Sequence, residues 1–197
     1  MATYAGITVP ETALIEEHGR AHFITKRFDR VGAERIHMQS LCGLAGLDFN
    51  AVGVHDYAQL FLAIEQLNLG QLARQEAFRR MVFTIAAANN EDHTKNHSFL
   101  MDSSGVWSLS PAYDVTHAYN PNSPWTARHL MSTNGKFEDA SYRDVIAVSE
   151  RHGIQSAAAI IGEVNNAIAS WTEFAAQAAV SATAAHEVAG DLRPIRR

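Results

Sequence analysis

The chain has 197 residues, 47% of them apolar, enough to bury a core as one large domain or two small ones. A formal charge of -5 argues against broad electrostatic binding to nucleic acid or an anionic membrane. The single cysteine, Cys42, rules out an internal disulfide, and no apolar stretch is long enough to span a bilayer, so a cytoplasmic protein is expected.

In chain order, Tyr4 to Pro10 reads as the end of a helix with a glycine stop and an extended exit, an odd start for a complete domain. Apolar-alternating runs over Thr12–Glu17 and Ala21–Phe28 flank His18-Gly19 and predict a β-hairpin. Ile36, Leu41 and Leu44 mark a first helix, with Cys42 buried in it. Tyr57, Leu60, Phe61, Ile64 and Leu67 mark a second helix at i, i+3, i+4 spacing. Phe78, Met81, Val82 and Ile85 mark a third, which runs into Ala86-Ala87-Ala88 and is apolar almost all round, as a central helix would be. Arg79-Arg80 on it form a solvated face or an ion pair.

Period-two patterning follows. Phe99–Met101 and Val106–Leu109 bracket the turn formers Asp102-Ser103-Ser104-Gly105 and predict a second hairpin. A polar loop containing Asp114 leads to helices from Ser141 onward, marked by Tyr142, Val145, Ile146 and Val148, then Ile160, Ile161, Val164, Ile168, Trp171 and Phe174. The aromatic set Tyr113, Tyr119, Trp125 and Trp107 reads as packing, and His117, His129 and His152 carry no identifiable role. No internal repeat or low-complexity tract occurs.

The segment Asn89-Asn90-Glu91-Asp92-His93-Thr94-Lys95-Asn96-His97 crowds polar side chains into one bend between apolar segments. The order of helix, polar loop, short hairpin and isolated aspartate is the one protein kinases use for a catalytic base, an asparagine metal ligand five residues on and a metal-binding aspartate. Glu91, Asn96 and Asp114 stand at those positions. One base and two hard oxygen ligands make chemical sense, because phosphoryl transfer needs mainly positioning and charge neutralisation.

Asn-Asn-Glu-Asp-His-Thr-Lys-Asn-His-Ser-Phe-Leu and Trp-Ser-Leu-Ser-Pro-Ala-Tyr-Asp, with Lys26-Arg27-Phe28-Asp29-Arg30 upstream and Asn134-Gly135-Lys136 downstream, resemble the C-terminal lobe of HipA-like serine/threonine kinases, toxins of bacterial type II toxin-antitoxin systems. The resemblance implies a mainly α (α+β) kinase-like C-lobe with two short β-hairpins and most of the N-lobe missing. Residues 1–30 would be a remnant of the N-lobe and hinge, and residues 31–197 the helical C-lobe. It implies Mg²⁺ on Asn96 and Asp114, and ATP with its adenine at the hinge near Lys26 and Phe28. Asp29 would face the ribose, and Lys95 would meet a phosphate or solvent. Glu91 is placed as base with Asp92 as its substitute and His93 as a brace.

The sequence departs from the family where Glu91-Asp92 replaces the usual pair of aspartates, since a one-methylene displacement can cost on the order of 10²-fold in rate. It also has only three lysines, Lys26, Lys95 and Lys136, and no glycine-rich phosphate loop. A separate N-lobe chain or an antitoxin protein is therefore the expected partner, with no direct nucleic acid and no membrane. Ala13, Ile15, Phe23 and Ile24 should then be exposed or paired. Two other readings stand beside this one: a catalytically inactive interaction module, and a metal-dependent hydrolase built on His93, His97 and Asp92.

Overall fold

The computed structural model describes residues 1–197. Met1 to Ile7 form a single helical turn, Ala5 N–H to Met1 O (3.0 Å), closed by the expected glycine stop: Gly6 N–H to Thr3 O (3.0 Å) and Ile7 N–H to Ala2 O (3.1 Å), with Gly6 at φ +80°. A Cβ on Gly6 would lie 3.1 Å from the Arg79 guanidinium, so glycine answers both the backbone and the close approach.

Strands β1 (Thr12–Glu17) and β2 (Arg20–Thr25) pair antiparallel from Thr12↔Thr25 to Glu17↔Arg20. His18 and Gly19 both have positive φ, +49° and +74°, as a two-residue type I′ turn requires. The second strand ends at Thr25, short of the expected Phe28, where its partner β1 begins at Thr12; beyond it the Asp29 carboxylate accepts from Arg27 and Arg30. Next come β3 (Arg30–Val31), β4 (Glu34–Arg35), β5 (His37–Ser40) and the single helical turn α1 (Leu41–Leu44). The helix expected over Ile36 to Leu44 is thus halved: His37–Ser40 is strand, and only Leu41–Leu44 is helical. Cys42, expected to be buried, is half-buried and donates its thiol to Leu47 O at 3.0 Å.

The short strand β6 (His55–Asp56) leads into α2 (Tyr57–Gln66), capped by Asp56, which accepts from Ala58 N–H at 2.7 Å. Helix α3 (Gly70–Ala86) is the centre of the molecule, with Phe78, Met81, Val82, Phe83, Ile85 and Ala86 all buried. A 3-10 turn (Thr94–Asn96) follows the polar loop. Strands β7 (Ser98–Met101) and β8 (Trp107–Leu109) form the second hairpin. β5 pairs with β7 from His37↔Met101 to Ser40↔Ser98, so this hairpin is two strands of a three-stranded sheet, and that pairing overrides the local helical spacing. β9 (Met131–Ser132) lies parallel to β6.

The chain ends in α4 (Tyr142–Arg151), α5 (Ala157–Ala169), α6 (Trp171–Gln177) and α7 (Ala182–Asp191). Leu60, Phe61 and Ile64 of α2 and Ile160, Ile161, Val164 and Ile168 of α5 join α3 in one core cluster, each fully buried aliphatic or aromatic side chain contributing about 1.5–3 kcal/mol. The architecture is mainly helical with small sheets, as the sequence led us to expect. No helix is long and apolar enough to cross a membrane.

Candidate active site

Helix α3 ends in a Schellman motif, with Asn89 N–H to Thr84 O at 3.0 Å and Ala88 at φ +52°. This sharp stop throws Asn89 to His97 across the end of the helix. Two asparagines then tie the loop to the segment after β8: Asn89 Nδ2 reaches Asp114 O (3.5 Å) and Asn90 Nδ2 donates to Thr126 O (3.1 Å).

Asp92 is the anchor. Only 3% exposed, it accepts from Tyr57 Oη–H (2.9 Å), His129 Nδ1–H (3.2 Å) and the Leu130 N–H (2.7 Å). These donors satisfy a buried carboxylate that would otherwise be very costly. Burial beside Asp92 pushes the Tyr57 phenol well above its ordinary pKa, so it stays a donor. The bracing expected of His93 is made by Asp92 instead. His93 sets its ring edge-on to Phe49, with centroids 6.2 Å apart, and its buried Nδ1 has no partner.

Glu91, one residue earlier, is exposed. Its backbone carbonyl accepts from Asn96 Nδ2 at 2.9 Å, which leaves Asn96 Oδ1 as a free acceptor. Asp114 is exposed and sits at φ +56°, a left-handed conformation that aspartate tolerates better than most residues. Asn96 and Asp114 line the same cleft, together with Arg80, Asn89, Asp92 and His97. Two oxygen donors lining one cleft suit a hard cation such as Mg²⁺, and the unpartnered Asn89 Oδ1 adds a further acceptor there.

His97 is buried edge-on to Tyr57, and desolvation pushes its pKa down to about 4, leaving it neutral. His93, His97 and Asp92 do not form a ligand cluster, and no group of three or more His, Cys, Asp or Glu side chains is placed to hold a metal. The hydrolase reading therefore has no site.

The hinge residues fall out differently. Phe28 packs on Tyr113, with ring centroids 5.8 Å apart, which sets the Lys26–Asp29 segment beside the neighbour of Asp114. Lys26 is exposed and paired with Glu11 at 3.2 Å. Asp29 is turned inward, bonded by Arg27 Nε (2.8 Å) and Nη2 (2.6 Å), whose hydrogen bonds hold its carboxyl below the usual range. Lys95 is exposed and not among the residues lining the cleft, with Nζ 3.2 Å from the centre of the Phe49 ring.

An apolar cavity of about 490 Å³ adjoins the cleft. It runs under Phe23 and Thr25 of the first hairpin to Leu192, and shares Phe83, Ala112, Tyr113, Asp114 and Val115 with the polar part.

Several residues gain roles that local spacing could not show. Arg80 is buried in an ion pair with Glu76 and donates to Ser110 O at 2.8 Å, while Arg79 holds Ala5 O and Glu163, so neither arginine forms a solvated face. His117 meets Asp191 at 3.1 Å, and His152 stacks on Phe61. Trp107 packs on His37 and Tyr113 on Phe28, whereas Trp125 is exposed. The partners of Asp92 and His117 and the Ser110 carbonyl that Arg80 reaches lie tens of residues away, and no motif connects them, whereas the Arg80–Glu76 pair is the i, i+4 ion pair that the helical spacing allows.

Comparison with known proteins bears on the fold and the family. The chain of the Shewanella oneidensis MR-1 toxin-antitoxin complex of HipA, HipB and operator DNA superposes with a TM-score of 0.68 at 17% identity, over 100% of this chain and 48% of that one. The Helicobacter pylori proinflammatory kinase CtkA gives 0.53 at 13% identity, over 85% and 70%. A Haemophilus influenzae protein named "Putative kinase" is 29% identical over 123 residues, 55% of this chain and 36% of its own length. The chain thus spans about half or less of the HipA-complex chain and of the curated relative. A profile of the HipA-like C-terminal domain matches residues 1–184, and the chain belongs to that family.

Proposed function

We propose that this chain carries the metal-binding and base-bearing half of a HipA-like protein kinase that transfers the γ-phosphoryl group of ATP to a serine or threonine hydroxyl. The observation that carries it is that Asn96 and Asp114, 18 residues apart in sequence, line one cleft, with the Asn96 amide donating to Glu91 O so that Oδ1 is free. Both relatives whose printed names include the word kinase support the reaction class.

Mg²⁺, when bound, neutralises charge developing on the phosphates. Asn96 Oδ1 and the Asp114 carboxylate would hold it. Glu91 would accept the hydroxyl proton on its carboxylate as the acceptor oxygen bonds to the γ-phosphorus and the bridging oxygen departs with ADP. Asp92 stays out of this exchange, since its oxygens are committed to Tyr57, His129 and Leu130. Phe28 and the adjoining apolar cavity would take the adenine side of the nucleotide. A phosphate-binding loop and strand lysine are not among these residues, so the reading assigns them to an N-lobe. A HipB-like antitoxin is the proposed regulatory partner, after the named HipA–HipB complex. The place of action is the cytoplasm.

Glu91 at the base position favours a second reading, a catalytically inactive interaction module. Calorimetry with ATP separates the two. Affinity that rises with Mg²⁺, and that loses this rise in Asp114→Ala and Asn96→Ala, is expected of the kinase half-site. ATP affinity indifferent to Mg²⁺ would sink it in favour of the module.

A further inference from the structure

We infer that the Tyr113 hydroxyl is a positioning group that sets the spacing between the two metal-ligand loops; this rests on the kinase reading above. Tyr113 directly precedes Asp114, and its Oη–H donates to the carbonyl of Lys95, the residue directly before Asn96. One hydrogen bond therefore joins the residues adjoining both proposed ligands. A phenol has a single proton. With it committed to Lys95 O, Ser98 Oγ–H must be the donor in the second contact, between Ser98 and Tyr113.

Ser98 is fully buried at the first residue of β7, and Ser110 N–H donates to Ser98 O at 2.9 Å where the chain leaves β8. The sheet thus fixes the point from which Tyr113 is held. On its other side the Tyr113 ring meets Phe28, with centroids 5.8 Å apart, so the same side chain touches the segment proposed to face the nucleotide. Asp114 has positive φ, and Asn89 Nδ2 reaches its carbonyl only at 3.5 Å, so the bond from Tyr113 to Lys95 is the firmer tie between the two loops.

Tyr113 touches no reacting atom in this scheme; it acts through Asn96 and Asp114. Removing its hydroxyl leaves Lys95 O and the Ser98 hydroxyl without their partner while the ring stays on Phe28. A merely structural role would lower stability without changing how metal and nucleotide are coupled.

The test is Tyr113→Phe in the full chain, with ATP affinity measured by calorimetry in EDTA and in Mg²⁺. Wild type is expected to bind more tightly in Mg²⁺. The variant is expected to keep its metal-free affinity within twofold and to lose at least fivefold of the Mg²⁺-dependent gain, the loss that one hydrogen bond supports. Hydrogen exchange should show residues 94–97 and 113–116 losing protection together. A wild-type gain that persists in Tyr113→Phe, or unchanged protection in both segments, overturns the clamp and leaves the kinase reading standing. A wild type with no Mg²⁺ dependence overturns both. Ser98→Ala keeps the Tyr113–Lys95 bond and is expected to show a smaller loss of the same kind; a loss of the Mg²⁺-dependent gain as large as that of Tyr113→Phe would overturn the clamp.

Discussion

Asp92 and Glu91 are neighbours with opposite fates. Three donors from α2 and the 129–130 segment converge on Asp92, whereas the Glu91 side chain is exposed. Asp92→Ala strands a buried phenol, an imidazole and a backbone N–H, and is expected to cost about 3 kcal/mol in urea denaturation. Glu91→Gln should stay within about 0.5 kcal/mol of wild type. A cost below about 1 kcal/mol for Asp92→Ala would show that the anchor is not formed. Ala88 is a second residue whose role is local: it holds a left-handed conformation at the end of α3 where glycine is at home. Ala88→Gly should raise stability by about 1 kcal/mol, read as a higher urea midpoint, and a lower midpoint would contradict the strain. At this scale the sequence singled out the polar bend, because Asn89 to His97 stand consecutively. It could not show which of two adjacent carboxylates is buried, since Tyr57 and His129 reach Asp92 from distant segments.

The elements were legible where one pattern governed them. α2 and α3 follow their apolar spacing, and both hairpins follow their turn residues. β5 was not, because the helical spacing that Leu41 and Leu44 fulfil in α1 reads on backwards through Ile36, while the partner of the strand His37–Ser40, β7, lies far along the chain. The turn at Asn134-Gly135 shows how such distant joints are made. Both residues have positive φ, and Thr133 and Lys136 pair across them. Asn134 Nδ2 (3.1 Å) and Lys136 Nζ (2.8 Å) donate to Asp144 in the first turn of α4, while Gly135 N–H reaches the α2 cap Asp56 at 3.2 Å. The Lys136 and Ser141 hydrogen bonds hold the Asp144 carboxyl well below the usual range. The folded pKa lies below the unfolded value, so the unfolded chain binds the proton more readily in acid. This stabilisation is complete above the unfolded carboxylate pKa of about 3.9 and is lost as pH falls below it. Asp144→Asn is expected to cost about 1–2 kcal/mol at pH 7 and to give a shallower fall in stability between pH 4 and pH 2.5. Parallel acid limbs for the two proteins would contradict that assignment.

Across the whole molecule the core is continuous from α2 through α3 to α5, yet the first hairpin stands outside it. Ile15, Phe23 and Ile24 are 51%, 68% and 43% exposed and Ala13 is exposed with them, one of the two states, exposed or paired, expected of this surface; Leu14 beside them is 59% exposed. Ile15→Lys with Phe23→Lys should leave the unfolding free energy within about 1 kcal/mol and reduce binding of a hydrophobic dye. A fall of several kcal/mol would mean that the hairpin packs within the folded unit. The family and its lobe were legible from two motifs, while the layout of the cleft depends on a sheet and an anchor that only the folded chain assembles. The central claim is that Asn96 and Asp114 share one metal. Manganese added to isotope-labelled protein with a non-hydrolysable ATP analogue tests it most directly, by paramagnetic broadening in the nuclear magnetic resonance spectrum. Signals of residues 94–97 and 113–116 are expected to vanish first and together, and to persist in Asp114→Ala. Broadening centred elsewhere, or confined to one of the two segments, would contradict a shared site.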